Sequence, residues 1–249
     1  MTDDGARQGA HHPPRPERPR PPHVPRTLPI DDAATWWSVP AAALAEALTT
    51  RPLVVLLHGL GADERDLAGL VPALPDRFVY ASVRAPLPIA GMPGYAWFPP
   101  LLAEGITADP AYVDAAARGL LVWLERAQAR ARSHARPALV GFSQGGAMAV
   151  QLLRHAPEAF AGAATLSGFV APGLLAGDEA LAQIRPRVLW GYDPADPVVT
   201  TPAIERLRAF LVAHTDLDER TYPGTGHGIA TTEAADLAAF LTSVLDGEA

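Results

Sequence analysis

Three kinds of residue that act together on carbonyl compounds stand at turns in this 249-residue chain. The first is Ser143, in Leu139-Val140-Gly141-Phe142-Ser143-Gln144-Gly145-Gly146-Ala147-Met148, where an apolar run meets a Gly-x-Ser-x-Gly turn and continues as a small-residue helical pattern. A serine on a sharp strand-to-helix turn projects its hydroxyl outward, and flanking glycines let the two backbones approach. The following helix aims its free N–H groups at any oxyanion formed beside that serine. A serine hydroxyl is a weak nucleophile near neutral pH, so it needs a base to take its proton and a carboxylate to orient the base. His227, in Pro223-Gly224-Thr225-Gly226-His227-Gly228, can be the base. Asp193 and Asp196, in Tyr192-Asp193-Pro194-Ala195-Asp196-Pro197-Val198-Val199, can each be the acid. Nucleophilic attack on an ester, thioester or amide carbonyl is the chemistry such a set performs. Taken alone, Gly-x-Ser-x-Gly also fits an ordinary glycine-rich turn feeding a helix, so the elements around it decide.

Those elements alternate. Leu53 to Leu57 is a continuous aliphatic run, the pattern of a strand buried on both faces of a mainly parallel sheet. His58-Gly59-Leu60-Gly61 follows it, a loop whose glycines bare backbone N–H groups; His58 itself reads as a structural histidine bonded within the loop. Further strands are predicted at Phe78–Ser82, Ala138–Gly141, Ala161–Leu166, Val188–Gly191 and around Thr221-Tyr222. Helices are predicted at Ala41–Leu48, from Asp63, at Asp109–Ser133, after Ser143 to His155, at Pro202–His214 and at Thr231–Leu245. Residues 173–183 read as an irregular insertion resembling a short lid. Of Trp36 and Trp37, adjacent and hence on opposite sides of any strand, one is expected to pack and the other to lie near the surface. Strand and helix repeated at this spacing mean a doubly wound, mostly parallel sheet with helices on both faces, an α/β architecture.

In such sheets function gathers beyond the carboxyl ends of the strands. Ser143, the Gly59–Gly61 loop, Asp196 and His227 all follow predicted strands there, in the order Ser, Asp 53 residues on, His 31 further, which is the order of an α/β-hydrolase triad. Spacing tolerates either aspartate. Asp193-Pro194 reads as a turn whose carboxylate bonds nearby backbone N–H groups, whereas Asp196 precedes apolar residues that can shield a bond to His227 from water, so Asp196 is the expected orienting acid.

Composition excludes much else. The chain has no cysteine, and all 20 of its basic residues are arginine. Disulfides, thiolate metal sites, cysteine nucleophiles, Ser-Lys dyads, Schiff bases and a P-loop lysine are therefore ruled out. A net charge of −7 gives no reason to expect nucleic acid as a partner. No run is long enough to span a membrane. The first residues carry Arg, His and Pro where a secretory signal would need an apolar stretch, which predicts a cytoplasmic protein. Residues 1–29 hold eight prolines, five arginines and three histidines with only Val24 and Leu28 as bulky aliphatics. They are expected to form a disordered tail ahead of one domain spanning 30–249.

The motifs Leu56-Leu57-His58-Gly59-Leu60-Gly61-Ala62-Asp63, Arg84-Ala85-Pro86, Gly141 to Gly146, Asp196-Pro197-Val198-Val199 and Gly226-His227 together resemble the phospholipase/carboxylesterase family, which includes the acyl-protein thioesterases. The resemblance covers about residues 50–246. It implies Ser143 as nucleophile, His227 as base, Asp196 as orienting acid, and an oxyanion hole from the backbone N–H groups of Leu60 and Gln144. The tail and the Asp193-Pro194-Ala195 segment depart from the pattern. Leu60, Trp97, Phe98, Phe169, Val198 and Ile229 are the candidate pocket walls and favour an apolar acyl group. The expected function is hydrolysis of small to medium acyl esters, with thioesters included, through an acyl-enzyme that needs no metal or organic cofactor. The rival readings are a serine peptidase of the same fold and a non-catalytic binding protein, which would carry a damaged triad or hole. A homodimer is compatible with the sequence.

Overall fold

The aliphatic run Leu53–Leu57 is strand β2, and every residue in it is buried, because a strand covered on both faces has no polar side to present. The structure, a computed structural model, describes residues 24–101, 107–131 and 135–246. The other strands of the main sheet are β1 (Thr35–Trp37), β3 (Val79–Val83), β4 (Ala138–Phe142), β5 (Gly162–Leu166), β6 (Arg187–Tyr192) and β7 (Asp216–Thr221). Their spatial order is β1-β3-β2-β4-β5-β6-β7. All neighbours run parallel except β1, which pairs antiparallel with β3. The period of two along β2 sends Leu53, Val55 and Leu57 into one core layer and Val54 and Leu56 into the other. Helices α1 (Leu44–Thr50), α2 (Pro110–Ala131), α3 (Gln144–His155), α4 (Asp178–Ile184) and α5 (Thr201–His214) pack on the first layer. Helix α6 (Thr231–Leu245) and the 3-10 segment Leu67–Ala73 cover the second. After β2 the chain steps to β3 on one flank and then crosses to β4 on the other, so the loops leaving β2 and β4 part at the crevice where such sheets bind ligands.

Several elements differ from the sequence expectation, each for a local reason. Trp36 and Trp37 form the edge strand β1, and both pack. Trp37 stacks on Trp123 of α2 at 6.0 Å, while Trp36 joins the opposite core layer. Asp63 begins a turn, closed by Arg65 N–H donating to Asp63 Oδ1 at 2.8 Å, and only a 3-10 helix containing Pro72 follows; the missing proline N–H weakens any α-helix there. Residues 173–183 are not wholly irregular, since α4 starts at Asp178, whose carboxylate pairs with the buried Arg154 guanidinium at 2.7 Å. The last strand lies earlier than expected, at Asp216–Thr221, because a polar edge strand with Arg220 paired to Asp218 and Asp236 carries little apolar signal. Helix α2 is described to Ala131, so the expected end at Ser133 lies outside the described residues.

The boundary of the expected tail also moves. Leu28 and Ile30 are buried, and Leu28 N–H donates to Ala115 O at 2.9 Å. A Cβ on Gly119 would meet Leu28 O at 1.8 Å, so the glycine opens a groove of backbone width on α2 for this segment. Asp32 then accepts from Arg126 and Arg130, each at 2.6 Å. Residues 24–29 therefore belong with the folded domain, which a proline count could not reveal; residues 1–23 of the expected tail lie outside the described residues. Among the described residues no helix is long and apolar enough to cross a membrane, and no group of three or more His, Cys, Asp or Glu side chains could hold a metal ion.

Candidate active site

Strand β4 ends at Phe142 and α3 begins at Gln144, leaving Ser143 alone to turn the chain. Its backbone takes φ 53°, ψ −115°, a conformation that costs a non-glycine residue roughly 1–3 kcal/mol and persists only where the surroundings impose it. The surroundings are tight. A Cβ at Gly141 would lie 2.1 Å from Gly145 O, and one at Gly145 would lie 1.9 Å from Leu57 O. Glycines two residues either side of the serine are thus what let β4, α3 and the end of β2 meet. Ser143 N–H is fixed by donation to Leu166 O of the neighbouring strand at 2.8 Å.

The loops after β6 and β7 bring the other groups to this hydroxyl. His227 Nε2 lies 2.9 Å from Ser143 Oγ, and His227 Nδ1 lies 2.7 Å from Asp196 Oδ2. With Asp196 ionised, these partners assign the tautomer: Nδ1–H donates to the carboxylate and Nε2 accepts from the serine O–H. The second oxygen of Asp196 accepts from Val198 N–H at 2.7 Å and Val199 N–H at 3.0 Å. The Asp196 side chain is 1% exposed against 17% for His227, so the bond between them is shielded while the imidazole stays reachable. The Phe142 ring packs on the imidazole at 5.0 Å between centroids. Asp193 makes no hydrogen bond to His227. Its Oδ1 accepts from Ala195 N–H at 2.8 Å and its Oδ2 from Gly226 N–H at 2.7 Å, and these backbone donors hold its carboxyl below the usual range.

Leu60 N–H and Gln144 N–H have no hydrogen-bond acceptor among the described residues. Gln144 is the first residue of α3, whose N-terminal N–H groups are necessarily free. Leu60 lies in the loop after β2, and Gly59 of that loop packs on the elbow: a Cβ built there would be 3.5 Å from Ser143 Cβ. Two free donors, a hydroxyl and an oriented imidazole therefore sit at the carboxyl edge of β2 and β4.

Residues 41–245, which contain every group just named, match the phospholipase/carboxylesterase family. The chain belongs to that family. It is 27% identical over 228 residues to the probable carboxylesterase of Oryza sativa subsp. japonica, with 83% of each protein covered. Among solved structures it is similar to the Bacillus cereus carboxylesterase, with TM-score 0.68, 26% identity, and 79% of this chain and 90% of that one covered. It is likewise similar to esterase PE8, with TM-score 0.68, 32% identity, and 79% and 94% covered. The fold is the α/β-hydrolase fold, and the protein is a carboxylesterase-type hydrolase.

In this member of the phospholipase/carboxylesterase family the six expected pocket residues divide into two groups. Leu60 and Val198 are 40% and 39% exposed and Ile229 is half-buried, so all three can meet a ligand. Trp97, Phe98 and Phe169 are buried, with Phe98 edge-on to Phe169 at 6.2 Å. Sequence gives their aromatic character but not the side they face. Met92, 63% exposed in the loop before Tyr95, is an apolar surface residue that the sequence did not single out. Also unforeseen is Glu233, buried in the first turn of α6, whose Oε2 accepts Ala230 N–H at 3.1 Å just after the histidine loop. Burial pushes its carboxyl up to about 7. Its only sequence signal is an acid three residues into a helix.

Proposed function

We propose that the protein is a serine esterase that hydrolyses carboxylic esters bearing a small to medium apolar acyl group, with thioesters as alternative substrates, through an acyl-enzyme on Ser143. The observation that carries this reading is the unbroken series from Asp196 Oδ2 to His227 Nδ1 and from His227 Nε2 to Ser143 Oγ, 2.7 and 2.9 Å. Ser143 Oγ attacks the carbonyl carbon while His227 takes its proton, and Asp196 stabilises the imidazolium. The carbonyl oxygen becomes an oxyanion held by Leu60 N–H and Gln144 N–H, each donor worth about 10²–10³ in turnover. Collapse of the intermediate expels the alcohol or thiol, which leaves with the proton from His227. Water then attacks the acyl group by the same route in reverse, and the acid is released with Ser143 restored.

A non-catalytic binding protein would be expected to have lost one of these groups, and the intact set supports the enzyme. Leu60, Val198 and Ile229 support an apolar acyl group, and none of them carries a charge that would select an ionic one. The test is turnover of p-nitrophenyl esters of increasing acyl length beside matched thioesters and anilides. Esters are expected to be cleaved, with a maximum at short or medium chains, and anilides to be left intact. Faster cleavage of the anilides would favour the peptidase reading.

A further inference from the structure

The two free donors sit on different elements, Leu60 in the loop after β2 and Gln144 at the start of α3, and a buried set of hydrogen bonds joins them. The Gln144 side chain spans the gap: Oε1 accepts Trp97 N–H and Nε2 donates to Phe98 O, both at 2.8 Å. Trp97 Nε1–H in turn donates to His58 O at 2.8 Å, the carbonyl that opens the loop after β2. The His58 ring stands 5.5 Å from the indole, between two backbone groups. Its Nε2 accepts Ala85 N–H at 3.0 Å, so the proton resides on Nδ1, which donates to Gly59 O at 2.7 Å. Gln144, Trp97 and His58 are all buried. Burial also pushes the His58 imidazole down and keeps it neutral, which this pattern requires.

The consequence lies in the peptide unit that His58 grips. Gly59 C=O and Leu60 N–H belong to one planar trans peptide, so they point in opposite directions. Fixing Gly59 O against the His58 ring therefore aims Leu60 N–H away from that ring. The next peptide is pinned as well, since Gly61 N–H donates to Tyr95 O at 2.9 Å. At the other end, Ser143 O accepts Ala147 N–H at 3.0 Å, which aims Gln144 N–H out of the start of α3.

We propose that His58 and Trp97 are positioning residues for the oxyanion hole, His58 setting the direction of Leu60 N–H and Trp97 fixing the spacing between the two donors. This rests on the esterase reading of Ser143, His227 and Asp196. Both side chains are fully buried, so neither is open to a substrate in this structure. Their contribution is to hold a donor where charge develops, and a misplacement near 1 Å can cost about a hundredfold.

Trp97→Phe keeps the ring and removes the indole donor. Its kcat on the best p-nitrophenyl ester should fall about 10–100-fold with KM within about threefold, the pattern of a contact made in the transition state. Affinity for a trifluoromethyl ketone, which forms an oxyanion on Ser143, should weaken by the same factor. His58→Gln, at the other end of the connection, should give the same split and serves if Trp97→Phe does not fold. Trp190→Phe is the control: that indole is equally buried, its N–H has no partner among the described residues, and it lies in the core, so melting temperature should fall with kcat unchanged. Wild-type kcat in both site variants, or a loss confined to KM with ketone affinity intact, would overturn the positioning roles while leaving the esterase reading standing. A wild-type enzyme inert toward every ester would remove both.

Discussion

Asp193 Oδ2 accepts the N–H of Gly226 at 2.7 Å, so the aspartate that makes no hydrogen bond to the imidazole still fastens the loop that carries it. The two carboxylates after β6 thus divide the work, Asp196 meeting the imidazole and Asp193 the backbone beside it. Asp196→Asn is expected to lower kcat by about 10⁴ with little change in melting temperature, because the wrong imidazole tautomer is then favoured. Asp193→Asn is expected to lower the melting temperature and to keep kcat within about tenfold. Because its folded carboxyl is held below the ordinary 3.8, the stability it contributes is present above that value and is lost as pH falls through the folded value. The variant's deficit in melting temperature should therefore shrink in acid. Kinetics and thermal melts of both variants check the division, and the opposite ranking of kcat would exchange the two roles.

Glu233 titrates in the opposite sense. Its ordinary value is 4.5 and the folded value about 7, with burial as the chief cause and Asp236 adding to it. Tyr222, the other titrating neighbour, donates to Asp236 at 2.8 Å. A carboxyl raised on folding is fully compatible with the fold below about 4.5 and costs stability as pH rises through about 7, here on the order of 3 kcal/mol. Glu233→Gln keeps an oxygen for Ala230 N–H and cannot ionise. Its melting temperature relative to wild type should rise between pH 5 and about 7 and level off above that; a difference independent of pH would refute the assignment.

The segment from Val24 to Ile30 should matter more than its composition suggests. Removing residues 1–23, which include no Val, Leu, Ile, Phe, Trp or Tyr, should leave the melting temperature unchanged. Removing 1–30 exposes the groove on α2 and forfeits burial of Leu28 and Ile30, roughly 1.5–3 kcal/mol each. At about 2–4 °C per kcal/mol for a chain of this size, a fall of several degrees is expected. Equal melting points for the two truncations would show that the docked segment contributes nothing.

What could be read from the chain follows from how local each signal is. Gly141, Ser143 and Gly145 declare the elbow because the whole motif, with the approach of Gly141 to Gly145 O, falls within five residues, although the approach of Gly145 to Leu57 O leaves no local trace. Strands β2, β4 and β5 show as apolar runs because both their faces are covered. Edge strands β1 and β7 have one free edge and mixed residues, so neither was placed correctly. Asp196 was separable from Asp193 only by its apolar neighbours, while the Asp193 bond to Gly226 spans 33 residues and leaves no local trace. The same holds for Gln144, whose side-chain partners Trp97 and Phe98 are 47 and 46 residues away. Aromaticity suggests a pocket wall there, and the burial of Trp97 and Phe98 is set by these distant partners.

Arg154 is the buried charge on which the segment before α4 depends. Its guanidinium reaches Asp178 at 2.7 and 2.8 Å, Ala171 O at 3.1 Å and Gly173 O at 2.6 Å. Arg154→Met strands the Asp178 carboxylate and should cost about 3–5 kcal/mol. Adding Asp178→Asn should recover part of that loss in denaturant melts. A single variant as stable as wild type would show that the pair contributes nothing net.

The central claim is that Ser143 Oγ is the atom acylated during turnover. The most direct measurement is peptide mass spectrometry of protein inactivated with a fluorophosphonate, run beside ester turnover of Ser143→Ala. The expected result is one phosphonyl group per chain on the peptide containing Ser143, complete loss of p-nitrophenyl ester hydrolysis in step with labelling, and an inactive Ser143→Ala with a wild-type melting curve. Labelling at another residue, or full ester turnover by Ser143→Ala, would contradict the account.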